Sequence, residues 1–411
     1  MVSGGLIAGP IAVLGLVGLA MYLRRLHLRQ FRNYGDRAIA FDAPKTILVG
    51  DNAQGKSNVL EAVELLATLQ SHRTSRDGDL IQEGAAIATV QGQIERQSSG
   101  SMDLELILRR GGRRTVALNG QGLRRQADGL GTLNAVLFSC LDLELVRGGP
   151  ERRRVWLDGL LLQLEPLYSH ILGQYNRVLR QRNALLRQQV RGDRRGVTEP
   201  ESMDDHAAEL ALWDAQLAIA AARVVRRRAR ALALLAPRAA AWHRDIGGGT
   251  ETLDITYVPN GAIAPDLLEG NEGDRAIAVQ QAYLSAIHEK ATAERHQGTS
   301  LVGPHRDDID LRVNGVPARQ FGSQGQQRTL VLALKLAELT TLEELLGEPP
   351  LLLLDDVLAE LDLKRQDRLL GAIAERFQTL VTATHLGAFD GRWLDGARIL
   401  TVRRGQIDAT G

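Results

Sequence analysis

The run Gly50-Asp51-Asn52-Ala53-Gln54-Gly55-Lys56-Ser57 has the spacing G-x-x-x-x-G-K-S. These residue types suit one task, the cradling of nucleotide phosphates. Glycine lets the backbone approach an anion closely and turn its N–H groups inward. A lysine at the seventh place reaches the β- and γ-phosphates, and the adjoining serine hydroxyl suits Mg²⁺. Lys56 is one of only five lysines in the chain, so a chance match is rare. Gly50, Asn52, Gly55, Lys56 and Ser57 are therefore the expected nucleotide contacts of this segment, with Ser57 also a metal ligand.

Three further segments carry suitable chemistry. Leu351-Leu352-Leu353-Leu354 ends in Asp355-Asp356. Four leucines in a row predict a strand buried on both faces of a parallel sheet, and ligands of such sheets bind at the carboxyl ends of the strands. Asp355 is placed to hold Mg²⁺, and Asp356 to orient or deprotonate an attacking water. Leu380-Val381-Thr382-Ala383-Thr384 is a second apolar strand, ending in His385. A strand-end histidine can sense a γ-phosphate, although a lone histidine is more often structural. Phe321-Gly322-Ser323-Gln324-Gly325-Gln326-Gln327-Arg328 opens a Leu/Ala-rich helix. Its Ser, Gly and free backbone N–H groups form an anion site or a plain helix cap.

The elements that must position these residues are legible as patterns. Thr46-Ile47-Leu48-Val49 reads as a strand before the phosphate loop, and Val59, Leu60, Val63 and Leu66 as a helix after it. Tyr22–Phe31, Leu104–Leu108 and Thr115–Leu118 read as strands, with Asn119-Gly120 as a hairpin turn. Residues 150–245 change to long amphipathic helices, Leu160–Leu186 and Ala207–Leu235, separated by a polar loop at Arg191–Asp205. After a break at Gly247-Gly248-Gly249 come a strand at Leu253–Val258 and a helix at Ala276–Lys290. Alternation then resumes with Ile309–Val313 as strand, Thr329–Thr340 as helix and Leu361–Phe377 as helix. The expected fold is α/β: a phosphate-loop ATPase head split by a mainly helical insertion. Its expected divisions are an apolar extension at 1–20, the ATPase N-terminal half at 21–148, the helical lobe at 149–298 and the ATPase C-terminal half at 299–411.

Composition narrows the setting. The 411 residues are 44% hydrophobic and 24% charged, with a formal net charge of +1, as in an ordinary globular protein. The single cysteine, Cys140, excludes an intrachain disulfide and fits a reducing, cytoplasmic compartment. Val2–Leu23 is uncharged and is followed by Arg24-Arg25. It has the length of a membrane span, but Pro10 and several glycines interrupt it, and the strand pattern begins at once with no linker. The expectation is a start site assigned too far upstream, with Met21 as first residue; an anchor is the alternative. Arginines crowd two turns (Arg109, Arg110, Arg113, Arg114; Arg124, Arg125) and one helix (Arg223, Arg226, Arg227, Arg228, Arg230). Such clusters suit nucleic-acid phosphates, or equally a solvated basic face.

Phosphate loop, serine-glycine signature, carboxylate strand and switch histidine, in this order, resemble the ATP-binding-cassette (ABC) ATPases. The resemblance implies that Ser323 and Gly325 of one copy cap the ATP held by another, in a head-to-tail dimer, with Gln326 a further nucleotide-binding residue. A closer resemblance, to the RecF family of bacterial recombination mediators, rests on Leu28-Arg29-Gln30-Phe31-Arg32-Asn33-Tyr34, on Gly149-Pro150-Glu151-Arg152-Arg153 with Leu157-Asp158, on Gly303-Pro304-His305-Arg306-Asp307-Asp308, and on Gly322–Thr329. It runs from about Met21 almost to the end. Residues 1–20 depart from the family pattern. So does Cys140-Leu141, where a proline and an acidic residue are expected. The resemblance implies ATP and Mg²⁺ as cofactors, a weak DNA-stimulated ATPase activity, and ATP-dependent binding of duplex and gapped DNA. It also implies action with RecO and RecR to load RecA at single-strand gaps. One alternative is the energising subunit of a membrane transporter. Another is a chromosome-organising ATPase with coiled-coil arms. The span of 266 positions from Ser57 to Ser323 is more than the first needs, and residues 150–245 are too few for the second.

Overall fold

The computed structural model describes residues 20–195, 200–261, 263–268, 272–373, 376–389 and 391–409. The expected apolar extension, apart from Ala20, lies outside them. No described helix is long and apolar enough to cross a membrane.

The chain forms two compact units. The first contains the described residues up to Cys140 and those from Gly347 onward; the second is Leu141–Leu346. The divisions expected at 148 and 298 are functional ones and differ from these borders; the signature segment lies in the second unit. The reason is packing. Helix Gln324–Leu346 buries every residue from Thr329 to Leu339, chiefly against the long helix Pro200–Gly247.

The first unit has two six-stranded sheets. In the mainly parallel one, strand Lys45–Val49 lies between Ala397–Arg403 and Thr379–Ala383; beyond the latter come Leu351–Asp355 and Ala135–Ser139. Gln406–Ala409 closes the other edge antiparallel. The second sheet is antiparallel, and its strands include Met21–Phe31, Tyr34–Ala40, Ile87–Arg96, Gly100–Arg109 and Thr115–Leu118. One core, built around helix Lys56–Thr68, joins both sheets. Strand Met21–Phe31 buries Met21 and Leu23, then Leu26 and Leu28. The period of two slips at a bulge between Leu23 and Arg25, and again before buried Phe31, where Gln30 has φ 50°. The buried Gln378 amide donates to Leu23 O (2.8 Å) and accepts from Leu23 N–H (2.7 Å) at that irregularity. The Asn119-Gly120 turn has both residues at positive φ, 51° and 75°, as its sequence predicts.

The second unit packs helices Pro150–Leu164, Tyr168–Arg195, Pro200–Gly247 and Glu272–Gln297 with the signature helix. A small antiparallel sheet contains Leu253–Val258 and Asp308–Val313. The expected continuous helix Leu160–Leu186 is broken at Glu165–Leu167, where Pro166 disfavours helix in the residue before it. The expected polar loop at Arg191–Asp205 is helical up to Arg195 and again from Pro200. Two of the segments that carried the family resemblance meet here. Arg153 donates through Nε to Asp308 Oδ1 (2.7 Å) and through Nη2 to Asp308 Oδ2 (3.0 Å). Buried Arg228 bridges Asp158 and Asp307. Burial pushes the Asp307 carboxyl up, against the pull of Arg228, the Asn260 N–H and the Tyr257 hydroxyl. Burial also drives His305 down to about 4, and its Nδ1 lies 2.6 Å from the Tyr175 hydroxyl oxygen.

Candidate functional site

The phosphate loop leaves the central strand at Gly50 and enters helix Lys56–Thr68 through Gly55, whose φ is 113°. Both glycines are required. A Cβ on Gly50 would lie 2.3 Å from Val402 O, and one on Gly55 would lie 2.6 Å from Asn33 Nδ2. The helix start has no side-chain cap and no acidic residue in its first turn. Its first N–H groups and the positive end of its dipole are thus left for an anion. Lys56 is buried, and its Nζ donates to Gly50 O (2.7 Å) and Asp51 O (3.0 Å). Asn52 is exposed on the outer turn of the loop, and Ser57 is partly buried at the helix start.

The loop is braced from two directions. Asn33 Nδ2 donates to Gln54 O (2.9 Å), and the buried Tyr34 hydroxyl donates to Gly55 O (3.0 Å). From the other side, Arg404 N–H donates to Gln54 Oε1 (2.8 Å) and Gly405 N–H to Gln54 O (3.1 Å). The Arg32-Asn33-Tyr34 segment, noticed in the sequence as a family mark, thus acts as scaffold for the loop.

Asp355 pairs in register with Thr382, and Ala383 pairs with Val49. The carboxylate therefore emerges two strands from Gly50, about 10 Å away at ordinary strand spacing. The Thr382 hydroxyl donates to Asp355 Oδ1 (2.8 Å) and accepts from Asp356 N–H (2.9 Å). Asp356 itself turns off the strand with φ 54°. His385 follows the intervening strand and is exposed. The structure thus gathers Gly50, Lys56, Ser57, Asp355, Asp356 and His385 at the carboxyl edge of one sheet. Among the described residues no group of three or more His, Cys, Asp or Glu could hold a metal. A site of one hydroxyl and one carboxylate fits Mg²⁺, which retains waters and takes further oxygens from nucleotide phosphates. Ser57 and Asp355 would hold it there, and it would offset phosphate charge.

Some contributors escaped the sequence reading. Thr382 looked like part of an apolar strand. Glu61, four residues after Ser57 on the same helix, is fully buried. Arg32 grips both its oxygens (2.9 and 2.7 Å), and Ser71 donates to it (2.6 Å). Burial would raise the Glu61 pKa, but Arg32, Ser71 and Arg73 together hold it below the usual range. Arg73 also donates to Asn58 Oδ1 (2.7 Å). Arg32, Asn33, Asn58 and Arg73 line an open cleft of about 680 Å³ beside the helix start. A charge interrupting an apolar helical face was the one available signal for Glu61.

Ser323, Gly325 and Gln326 lie in the other compact unit. Ser323 and Gln326 form a capping box at the start of helix Gln324–Leu346: Gln326 N–H donates to Ser323 Oγ (3.2 Å), and Ser323 N–H to Gln326 Oε1 (2.8 Å). Both sequence readings of this segment, anion site and cap, thus concern the same atoms. The arginine clusters divide. Arg114 is tied to Asp77 and Arg228 to Asp158, so neither is a surface contact. Arg110, Arg113, Arg124, Arg125, Arg223 and Arg230 are exposed.

The RecF/RecN/SMC N terminal domain family matches residues 22–395. A protein of Nostoc punctiforme named DNA replication and repair protein RecF is 62% identical over 389 residues, which is 94% of this chain and 99% of the relative. A protein of Picosynechococcus with the same name is 58% identical over 387 residues, 94% and 97% of the two chains. A solved structure of the recombination mediator protein RecF with ATP, in the RecFOR pathway, is similar with a TM-score of 0.84 at 30% identity, covering 96% of this chain and 98% of that one. The Smc head domain bound to the C-terminal domain of ScpA from Pyrococcus furiosus has a TM-score of 0.51 at 16% identity, covering 95% and 96%, a likeness of fold alone. The architecture is that of an ABC-type ATPase head with a mainly helical insertion.

Proposed function

This chain belongs to the RecF family, and from that membership and its phosphate-loop geometry we propose that it is an ATP-driven DNA-binding protein of recombinational repair and replication. The observation that carries the proposal is the alignment of the braced loop with Asp355 and Asp356 at the carboxyl ends of strands two apart in one sheet, in a chain of this family. In the nucleotide-bound state Lys56 exchanges the Gly50 and Asp51 carbonyls for β- and γ-phosphate oxygens. Gly50, Asn52 and Gly55 supply backbone contacts. Ser57 and Asp355 hold Mg²⁺, Asp356 orients the attacking water, and His385 reads the γ-phosphate. Functionally, segments 21–148 and 299–411 together make the ATPase, and 149–298 is the lobe.

Ser323, Gly325 and Gln326 close the site of a second copy, so that ATP makes a homodimer. Phe321 is 70% exposed beside this turn, which supports burial of the segment in a complex. The dimer clamps duplex or gapped DNA, with exposed arginines such as Arg113 and Arg124 on phosphates. With RecO and RecR it promotes RecA loading in the cytoplasm. Hydrolysis is slow, DNA-stimulated and reopens the clamp. Family membership removes the footing of the transporter reading. The test is light scattering of the full chain with and without ATP and duplex DNA, at rising salt. ATP should double the mass, and DNA should join only the dimer, with affinity falling steeply as salt rises. A protein that stays monomeric with ATP, or binds DNA with a flat salt response, would overturn the clamp.

A further inference from the structure

The turn that opens the signature helix is tied to a polar chain that ends on a buried histidine. Gln326 accepts from Ser323 N–H, and its Nε2 donates to Glu251 Oε1 at 2.8 Å. The other oxygen of Glu251 lies 3.8 Å from His243 Nε2, beyond hydrogen-bond range. His243 is fully buried, and among the described residues neither ring nitrogen has a hydrogen-bond partner. An unpartnered buried polar group is costly, and in a native fold such a group points to a second state or a task.

Among the described residues, Glu251 is the one charged group that shifts His243. It sits near the end of helix Pro200–Gly247, which packs on the signature helix and on strand Leu253–Val258. Arg244 and Asp245 on its own helix, Asp254 on the strand and Arg328 on the signature helix do not perturb it; Glu251 does. Burial lowers the His243 pKa and the Glu251 charge raises it, with burial prevailing, so the ring is neutral in this arrangement.

We propose that Glu251 and His243 are positioning residues of the signature: Glu251 holds Gln326 in the closed capping turn, and His243 receives Glu251 when Gln326 turns to nucleotide on a second copy. This rests on the reading that the signature acts across a dimer. Once Gln326 leaves, Glu251 has lost its amide donor. A shift of about 1 Å brings its free oxygen into hydrogen-bond range of His243 Nε2. The imidazole then takes one proton from solvent, and an imidazolium–carboxylate pair replaces a neutral ring and an amide bond. The dimer therefore holds a proton that the monomer does not, so ATP-dependent dimerisation strengthens as pH falls. Each unit by which the His243 pKa rises on dimerisation adds up to about tenfold.

The test is the ATP-dependent dimer dissociation constant of the full chain between pH 8 and 6, by sedimentation or light scattering. Wild type should tighten about tenfold more over this range than Glu251→Gln or His243→Gln, and Glu251→Asp should restore part of the dependence. Glu251 lies on a partly exposed loop, so its variants serve even where a change at His243 prevents folding. Equal pH slopes in wild type and Glu251→Gln would overturn the proposal. Ser323→Arg separates the two levels. If that variant still dimerises with ATP, the cross-dimer reading falls and this proposal with it; if it stays monomeric while the slopes are equal, the positioning pair alone falls.

Discussion

The phosphate loop and the signature turn satisfy their polar groups in opposite ways. The loop is held from outside, by Asn33 and Tyr34 on one flank and Arg404 and Gly405 on the other, while its lysine rests on the loop's own carbonyls. The signature turn closes on itself, with Ser323 and Gln326 bonding each other and only the Gln326 amide tethered from outside, by Glu251. The first arrangement keeps a backbone cradle fixed whatever the lysine does. The second must give up its internal bonds before it can bond anything else. On the proposed reading one is a ready receptor and the other a self-closed lid, so ATP affinity and ATP-dependent association should respond to different residues.

Lys56→Ala attacks the receptor and should have the largest effect. Loss of its charge-assisted bonds to phosphate, about 3 kcal/mol, should weaken ATP binding at least a hundredfold by calorimetry. Unchanged affinity would remove the loop from the site. Ser323→Arg attacks the lid. ATP-induced dimers should vanish from light scattering while monomers still bind ATP; surviving dimers would erase the contrast. Glu61→Gln tests the frame behind the receptor. Arg32 would lose its ionised partner, and urea unfolding should show a loss of about 2–3 kcal/mol at neutral pH. The Glu61 pKa is lowered in the folded protein, so its contribution is present above the unfolded carboxylate pKa and is lost as pH falls through the folded value. Wild type should therefore lose stability on acidification more steeply than Glu61→Gln, and parallel pH curves would contradict this. Thr382→Val is the mildest. It removes the bond to Asp355 and the one from Asp356 N–H, and should slow ATP hydrolysis about tenfold, equivalent to about 1.4 kcal/mol, with a melting temperature lowered by only a few degrees.

What could be read from sequence follows the same divide. Gly50–Ser57 and Leu351–Asp356 were legible because each packs its chemistry into consecutive residues with a strand in front. Ser323–Gln326 was legible as a helix start, yet the compact unit it folds into was not, because apolar burial against a helix a hundred residues earlier decides that. Pro166 carried a signal for the helix break, but the apolar periodicity on either side masked it. Thr382, Glu61 and the brace from Gly405 stayed hidden because each acts through a partner distant in the chain. Their own types are ordinary for a strand, a helix and a turn.

The brace from the hairpin has a consequence for synthesis. The phosphate loop leaves the ribosome early, but the backbone groups that hold Gln54 belong to residues 350 positions later. At about 5–20 residues per second, the loop waits on the order of 20–70 s for them. Until then strand Lys45–Val49 lacks both of its sheet neighbours, Thr379–Ala383 and Ala397–Arg403. The nascent chain thus passes through a long interval in which its nucleotide loop exists as sequence but not as a site, and ligand can stabilise it only after the last hairpin has docked.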